Sequence, residues 1–362
     1  MSATDERSLV APDPEIVELL TDFFAREVTP EVVDAAERAG ALPRELWERA
    51  EAVEIPWIGI AEEHGGVGGT SADAVAMLQL AGHRATPLPL LEHHVAVTLL
   101  GRAGVEPVAG PLTLAGASTH EPVPQVVDGV LSGEIQAVPW AGEAAGVVVL
   151  TTDQTGRDVV VLVRREDYTV AAATDMAGIP GPRVRVDSPS GIVGELVGGA
   201  APLRRHAEVM RSAVLAGLTQ RLYDITARYV SERRQFGKPV GSFQSVQVHV
   251  VGLAQAAAMS TLGVERAAGA VALGAGEFEV DAMTVVVEQN AARAAAAAHQ
   301  AHGAIGMTRE YPLQQVTRRV HSMLQVWAPS CDVQARVGRM VLASPSLSEL
   351  VARHPEEGLP ST

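Results

Sequence analysis

Arginine pairs and one aromatic side chain in the C-terminal half are the first residues that could bind a ligand. Gln235 and Phe236 follow one of these pairs directly, and the pairs are Arg204-Arg205, Arg233-Arg234 and Arg318-Arg319. A guanidinium group binds phosphate through parallel hydrogen bonds, and a phenylalanine ring stacks on a planar ring system. The order Arg-Arg-Gln-Phe therefore suits an anionic, planar ligand. An ordinary helical hairpin with a buried Phe236 explains the same residues equally well.

The elements around this segment are predicted to be a helix, a loop and a second helix. A stripe of apolar residues with spacings of four, three and four predicts the first helix: Leu218, Leu222, Ile225 and Tyr229. Gly237 and Pro239 preclude its continuation. Ser242 is then placed to cap a new helix that begins at Phe243. The Arg-Arg-Gln-Phe segment should therefore lie in the loop between two helices.

The chain as a whole divides into regions of different pattern. Residues 1–105 show apolar side chains at helical spacing, broken by a glycine-rich turn at 62–70. Residues 106–202 contain short β-branched runs of strand length. Residues 203–362 are helical again and include an alanine-rich stretch. The sequence therefore predicts a helical domain, a β domain and a second helical domain, with these boundaries.

Composition excludes several classes of function. A formal net charge of -15 opposes binding to nucleic acid or to an anionic membrane. The single cysteine, Cys331, cannot form an intramolecular disulfide, and His64, His93 and His94 lack metal-ligand spacing. No run approaches the roughly 18 apolar residues of a membrane span, and no apolar signal segment follows the polar N-terminus. We therefore expect a cytoplasmic protein without a metal site, a nucleic-acid partner or a membrane span.

Residues 231–247 resemble a motif of the acyl-CoA dehydrogenase family. That family carries Arg-x-Gln-Phe-Gly-Lys-Pro-Ile-Gly-x-Phe-Gln-x-Val-Gln after a long helix, and residues 233–247 follow it with few departures. Residues 300–312 are similar to the family's Gln-x-x-Gly-Gly-x-Gly-(Phe/Met)-x-x-Glu-(Tyr/His)-Pro, with Ala304 replacing one glycine. The turn at 61–70 resembles Pro-Glu-Glu-Tyr-Gly-Gly-Leu-Gly-Gly. The resemblance implies an α+β multidomain fold, with an N-terminal helical domain, a middle β domain (barrel or sandwich) and a C-terminal four-helix bundle.

The resemblance also implies FAD as cofactor, an acyl-CoA thioester as substrate and an electron-transfer acceptor. Two groups of residues would hold the adenine and pyrophosphate half of an FAD that is bound mainly to a neighbouring subunit: Arg233, Gln235, Phe236 and Gln244 from the first segment, and Gln300, Gly303, Ala304 and Gly306 from the second. Arg339 falls where the family often places a basic residue near the CoA end, although a surface arginine is the equal alternative. A shared site requires a dimer or tetramer, either a homo-oligomer or a hetero-oligomer with a homologous subunit.

The catalytic base of the family is missing from its usual place. The family removes an α-proton with a glutamate while the β-hydrogen leaves as hydride to the flavin, which requires a positioned carboxylate. The usual Tyr-Glu-Gly-Thr motif corresponds here to residues 326–330, Val-Trp-Ala-Pro-Ser. A smaller branch places the base on the preceding helix, near Ala207, and another usage places it at Val214. Glu208 is therefore the candidate base, and a first-turn glutamate that favours the helix dipole is the alternative.

The β domain departs from the family as well. The family's Thr-Glu-Pro-x-Ala-Gly-Ser-Asp is reduced to Leu-Thr-Leu-Ala-Gly-Ala-Ser at 112–118, and residues 133–140 replace Trp-Ile-Thr without its hydroxyl. We therefore expect a subunit of a heteromeric acyl-CoA dehydrogenase of lipid or steroid metabolism that lends its Arg-Gln-Phe residues to a partner's flavin. Paired bacterial subunits supply this analogy at the level of the fold. The alternatives are a structural or regulatory subunit without flavin and a flavin oxidase or monooxygenase.

Overall fold

The structure, a computed structural model, describes residues 11–117, 122–186, 192–272, 276–325 and 331–346, together with 348 and 350. In this part of the chain five α-helices precede the first strand: α1 (Pro14–Glu27), α2 (Pro30–Ala39), α3 (Arg44–Ala52), α4 (Ser71–His83) and α5 (Leu90–Arg102). Prolines begin α1 and α2, where the missing N–H has no helical partner to lose. Thr70 caps α4, because its hydroxyl accepts from the Asp73 amide while the Asp73 carboxylate accepts from the Thr70 amide.

Short strands follow in the middle of the chain: β1 (Leu112–Ala115), β2 (Val126–Val127), β3 (Val130–Leu131), β4 (Gly133–Ile135), β5 (Gly146–Thr152), β6 (Asp158–Arg164), β7 (Tyr168–Ala171), β8 (Arg183–Val186) and β9 (Ile192–Glu195). Within the described residues, one sheet has the order β1-β5-β6-β9 and another the order β4-β8-β7, while β2 and β3 pair with each other. Only the β1–β5 pairing among these is parallel.

Strand β5 is covered on both faces. Val147 and Val149 point into the core between the sheets, and Val148 and Leu150 belong to the core shared with the helices. A strand that is buried on both faces is apolar at consecutive positions instead of alternating. The valine-rich run that predicted this strand is therefore explained by its place in the middle of a layered structure.

The C-terminal region is helical: α6 (Ala201–Glu232), α7 (Gln244–Ala272), α8 (Glu277–His302), α9 (Leu313–Met323) and α10 (Cys331–Ala343). Helices α6, α7 and α8 pack on one another, α9 packs on α6 and α8, and α10 packs on α8. The predicted order of helical, β and helical regions is confirmed. The boundaries at 105 and 202 stay predictions. None of the helices in the described ranges is long and apolar enough to span a membrane.

Helix α4 joins the bundle by direct contact with α6. A Cβ atom added to Gly82 would lie 2.3 Å from the Val214 carbonyl oxygen, and one added to Gly217 would lie 1.9 Å from the Gln79 carbonyl oxygen. These distances leave no room for any side chain larger than hydrogen. Glycine at both positions therefore allows the two backbones to touch.

A pair of histidines, His94 buried and His206 half-buried, joins α5 to α6. The rings of His94 and His206 stack with centroids 5.4 Å apart, and their Nε2 atoms are 3.3 Å apart. Burial, with a smaller contribution from Arg102, lowers the pKa of His206 to about 4. Burial also holds the pKa of His94 well below its ordinary value. Unfolded histidine titrates near pH 6.5, so below that pH the unfolded chain binds protons that the folded chain does not, and acid destabilises the fold.

Replacing His206 with glutamine is expected to weaken this pH dependence between about pH 6.5 and 4. One proton fewer is taken up on unfolding, so the slope of unfolding free energy against pH should fall by about 1.4 kcal/mol per pH unit. Urea denaturation at several pH values measures the slope. His321→Gln alters an exposed side chain and should keep the wild-type slope. An unchanged slope in His206→Gln would show that His206 does not cause this pH dependence.

Candidate functional site

The Arg-Arg-Gln-Phe segment forms a small β-hairpin at the end of α6. Arg234–Gln235 (β10) pairs antiparallel with Lys238–Pro239 (β11). Phe236 and Gly237 are the turn residues, with φ of 51° and 81°. Positive φ at both central positions is the backbone of a tight two-residue hairpin. Glycine adopts it readily, whereas a bulky side chain there is an outlier that costs energy. Residues 233–239 are called the arm below.

The tip of the arm is open to solvent. Phe236 is 91% exposed, and Arg233 and Gln235 are exposed as well. The alternative of a buried Phe236 in an ordinary hairpin is therefore wrong for this chain. Phe243, just after the arm, contacts it: the Phe236 ring meets the Phe243 ring edge-on at 6.1 Å, and Lys238 Nζ lies 4.3 Å from the Phe243 ring centre.

The second segment lies beside the arm. Helix α8 ends at His302, and a 3-10 turn, Gly303–Met307, follows it. The His302 ring stacks on Tyr229 with centroids 4.3 Å apart, and both rings contact Tyr311. Tyr229 is one helical turn before Arg233, whose amide donates to the Tyr229 carbonyl at 2.9 Å. The structure thus brings both predicted cofactor segments to the same end of the bundle.

The remaining predicted cofactor residues differ in exposure. Gln300, Gly303 and Ala304 are exposed, while Gly306 is buried. A Cβ atom on Gly306 would lie 2.9 Å from the His302 Cβ, so glycine keeps the turn against the helix end. Gln244 is exposed as the first residue of α7, so Phe243, not the predicted Ser242, directly precedes that helix.

Glu208, the candidate base, lies in an ion cluster between α6, α8 and α9. Its carboxylate accepts from Arg211 Nε at 3.4 Å. The Arg211 side chain is fully buried, and it also donates to the Glu288 carboxylate and, at 2.8 Å, to the Met323 carbonyl. Burial raises the pKa of Glu208, against the opposing effect of the Arg211 charge. The structure therefore gives one oxygen of this carboxylate a guanidinium partner.

A cavity of about 50 Å³ lies between α4, α5, α6, α9 and loops of the β domain. Its walls are mainly apolar and include Leu78, Leu91, Trp140, Val214, Leu218 and Met323. Val214 is one of the positions at which the resemblance would place a base. Glu208 is not among the residues that line this cavity, so the structure does not bring the two together.

The polar residues of this cavity are Thr86, Glu92 and Arg319. They are 7%, 6% and 6% exposed. Arg319 Nη1 donates to the Thr86 carbonyl at 2.9 Å, but within the described ranges Arg319 Nε and Nη2 and Thr86 Oγ1 have no hydrogen-bond partner. Burial raises the pKa of Glu92 to about 7, although the Arg319 charge opposes the rise. We call this the Arg319 cavity.

Sequence reasoning missed Thr86 and Glu92 and treated Arg319 only as half of a pair. The available signal was a run of charged and polar residues, Glu92, His93 and His94, inside a helix whose neighbours are all apolar. The structure buries this run completely within α5. A polar residue on a buried helix needs a partner or a ligand.

Arg319 is also part of a network that ties α9 to other regions. Arg318 donates to the Glu37 carboxylate on α2, and Arg319 Nε lies 3.7 Å from Glu37 Oε1. Ser322 donates to Asp175 in the loop between β7 and β8. The network thus fixes α9 against both the N-terminal helices and the β domain.

Other predicted features are placed as follows. Arg339 is exposed on α10. Residues 326–330, where the family's Tyr-Glu-Gly-Thr would fall, and residue 118 lie outside the described residues. Among the residues that are described, no group of three or more histidine, cysteine, aspartate or glutamate side chains could hold a metal ion.

Comparisons with known proteins agree with the motifs. The family model of the acyl-CoA dehydrogenase N-terminal domain matches residues 13–107, and that of the C-terminal domain matches residues 205–337. Acyl-CoA dehydrogenase IpdE2 of Mycolicibacterium smegmatis is 25% identical over 322 residues, which are 86% of this chain and 93% of the relative. IpdE2 of Mycobacterium tuberculosis is 27% identical over 95% of this chain and 100% of its own length.

Solved structures show the same fold. The ChsE4-ChsE5 complex from Mycobacterium tuberculosis has a chain with a TM-score of 0.79 and 21% identity, covering 92% of this chain and 97% of that one. A variant of the Tcur3481-Tcur3483 steroid ACAD gives a TM-score of 0.81 at 21% identity, covering 91% and 97%. Matches to both the N-terminal and the C-terminal domain, over almost the whole length of the relatives, show that this chain belongs to the acyl-CoA dehydrogenase family of oxidoreductases.

Proposed function

We propose that this chain is the arm-lending subunit of a heteromeric acyl-CoA dehydrogenase, whose FAD is held mainly by a homologous partner subunit. Arg233 would pair with the pyrophosphate, while Gln235 and Phe236 would bind the adenine half. The observation that carries the proposal is the exposed tip of the arm. Phe236 is 91% exposed with φ of 51°. Such strain costs about 1–3 kcal/mol, and an exposed ring gains no burial energy within its own chain.

The turn at the end of α8 supports the same site. Gln300, Gly303 and Ala304 are exposed at the end of α8, which the stacked Tyr229 and His302 rings join to the end of α6. A glycine-containing turn lets a backbone approach a phosphate closely. These residues therefore fit the adenine and pyrophosphate half of FAD, together with Gln244 at the start of α7. The positive charge of Arg233 gives this face local affinity for phosphate despite the acidic chain.

The ring half of FAD is proposed to lie on the partner. The Arg319 cavity, at about 50 Å³, has room for roughly three to five water-sized groups, which is too little for a fused three-ring system. Trp140, near the position of the family's Trp-Ile-Thr, is buried and lines that cavity. The FAD, when bound, supplies the acceptor for the hydride of the reaction.

A surface for the partner begins next to the arm. Helix α7 carries exposed apolar side chains on one stripe: Val248, Val251, Met259 and Leu262, which are 65%, 55%, 53% and 65% exposed. Exposed apolar side chains repeated along one face of a helix mark an interaction surface. A homologous subunit that covered this stripe would also reach the arm. The hetero-oligomer is proposed on this ground, and the ChsE4-ChsE5 relative is itself a complex of two different chains.

The base is proposed to belong to the partner as well. A general base must present a free lone pair to the α-proton. Glu208 pairs with the buried Arg211 through one oxygen and does not line the Arg319 cavity, which the proposal takes as part of the acyl site. If Glu208 were the base, Glu208→Gln would abolish turnover. Under the proposal this variant retains turnover in the assembled complex.

The experiment compares the chain alone with the chain co-expressed with a homologous partner. The visible absorption of flavin and the formation of enoyl-CoA from acyl-CoA are measured for both. We expect flavin and turnover with the complex and little of either with the lone chain. Absence of bound flavin from every combination would overturn the proposal.

Replacing Arg233 with alanine is expected to weaken FAD binding to the complex by at least about 30-fold. Loss of a desolvated charge pair costs about 2–5 kcal/mol, and each 1.4 kcal/mol corresponds to a factor of ten. The dissociation constant of FAD is measured by titration of the complex. Arg26→Ala makes the same change of charge at a side chain that is 72% exposed on α1, and it should keep the wild-type affinity. Equal affinities in the two variants would contradict the role of the arm.

A further inference from the structure

We infer that the Arg319 cavity binds a neutral oxygen, a ketone or a hydroxyl, carried by the acyl group of the substrate. This inference rests on the proposed function, since it takes the cavity to be the closed end of the acyl site. The substrate class is then an acyl-CoA thioester whose acyl part has an oxygen substituent within an otherwise apolar skeleton.

The first support is the set of unpartnered polar atoms. Arg319 Nη2 and Thr86 Oγ1 are buried without a hydrogen-bond partner among the described residues, whereas Arg319 Nε faces the Glu37 carboxylate at 3.7 Å. Arg319 and Thr86 are only 6% and 7% exposed. Buried donors without a partner are rare in native proteins because each loses its hydration. Both side chains line the cavity, which gives these donors a place to meet a ligand. An acceptor oxygen in the cavity would satisfy them.

The second support is the balance of charge around the cavity. Arg319 faces Glu37, which also binds Arg318, and Asp175 adds a further negative charge near Glu92. The charges of Arg318 and Arg319 are already balanced by Glu37 and Asp175, so an anionic ligand would bring an uncompensated charge into a buried site. A neutral oxygen adds none. Glu92, whose pKa is raised to about 7 by burial, can donate to a ketone when protonated and accept from a hydroxyl when ionised.

The third support is size and surroundings. A cavity of about 50 Å³ holds roughly three to five water-sized groups, which suits a C=O or C–OH group with its neighbouring carbon atoms but not a whole acyl chain. Leu78, Leu91, Val214 and Leu218 line the rest of the wall. These side chains would contact the carbon skeleton next to the oxygen. Polar atoms converging in an apolar wall are typical of a site that selects ligands by a single polar group.

The test compares two thioesters on the assembled complex. Cyclohexylpropanoyl-CoA and its ring-ketone analogue differ only in the oxygen, and calorimetry gives the dissociation constant of each. We expect the ketone to bind at least about tenfold more tightly to the wild-type complex, because it satisfies buried donors that the hydrocarbon leaves unpaired.

Variants then show which residues cause the preference for the ketone. Arg319→Met should remove it, but this change can also disturb the fold. Thr86→Val keeps the shape, loses only the hydroxyl, and should reduce the preference several-fold. Thr98→Val is the matched control: Thr98 donates to the His94 carbonyl within α5 and does not line the cavity, so it should keep the full preference.

The outcomes separate this inference from the proposed function. If the complex binds both thioesters with equal affinity and dehydrogenates both, the proposed function stands. The inference is then overturned, because the cavity does not bind the ketone oxygen. A preference that survives in both Thr86→Val and Arg319→Met also overturns it, because the oxygen is then bound elsewhere. If a flavin-loaded complex binds neither thioester, the acyl-CoA function and the inference fall together.

Discussion

Replacing Glu37 with glutamine is expected to lower the free energy of unfolding by about 3–5 kcal/mol. The Glu37 side chain is only 5% exposed, and it is the counter-ion of both Arg318 and Arg319. The change removes the carboxylate that faces the buried Arg319 guanidinium and leaves only the weaker effect of Asp175. Breaking a buried ion pair is costly for this reason, because the remaining charge stays desolvated.

Burial disfavours the charged forms of both Glu37 and Arg319. Burial lowers the pKa of Arg319 and raises the pKa of Glu37. In both cases the effect of burial on the pKa is larger than the opposite effect of the partner's charge. Each ion is thus less stable in the fold than in water. The double variant Glu37→Gln with Arg319→Met removes both charges and should recover part of the loss, since replacing a whole buried pair is often neutral or stabilising.

Urea denaturation of the lone chain measures these differences. Glu45→Gln is the matched control, because the Glu45 side chain is 90% exposed and lies 3.8 Å from Arg49 within α3. An exposed pair of this kind contributes at most about 1 kcal/mol. Similar losses in Glu37→Gln and Glu45→Gln would show that the buried network does not fix α9 against α2.

Local patterns predicted the arm's position but not its exposure. Gly237 and Pro239 end the helix whatever surrounds them, because their backbone preferences are properties of the residues themselves. Whether Phe236 is buried depends on which other elements pack near it. The local sequence does not specify those elements. The hairpin backbone was missed for the same reason, since a non-glycine residue at positive φ has no sequence signal of its own.

The Arg319 cavity shows the limit more clearly. Thr86 and Glu92 come from the loop after α4 and from α5, and Arg319 comes from α9 more than two hundred residues later. No spacing rule joins such distant residues. The pair Arg318-Arg319 was visible in the sequence, but only packing separates the partly exposed Arg318 from the buried Arg319, whose side chains are 36% and 7% exposed.

The strands were easier to predict than the site. Valine-rich runs such as Gly146–Thr152 favour a strand, because β-branched side chains are restricted and pack well on a sheet. Their pairing partners depend on the fold: β5 lies between β1 and β6, although β2, β3 and β4 come between β1 and β5 in the chain. The β-branched runs predicted the middle β domain, and only the structure shows its register.

Adding one methyl group at Gly217 is expected to destabilise the chain by about 1–3 kcal/mol or more. In Gly217→Ala the new Cβ would lie 1.9 Å from the Gln79 carbonyl oxygen and 2.8 Å from the His83 amide nitrogen. Both atoms belong to the backbone of α4, which cannot move aside as a flexible side chain can. Helices α4 and α6 must separate, and they also form walls of the Arg319 cavity.

The matched control is Gly338→Ala on α10, where an added Cβ would meet nothing within 4 Å. Alanine favours a helix over glycine by about 1 kcal/mol, so this variant should be slightly more stable than the wild type. The two substitutions restrict the unfolded chain equally, and urea denaturation of both measures the difference. Opposite signs are expected because only Gly217 lies at a helix crossing. A Gly217→Ala protein as stable as Gly338→Ala would mean that α4 and α6 do not touch through their backbones.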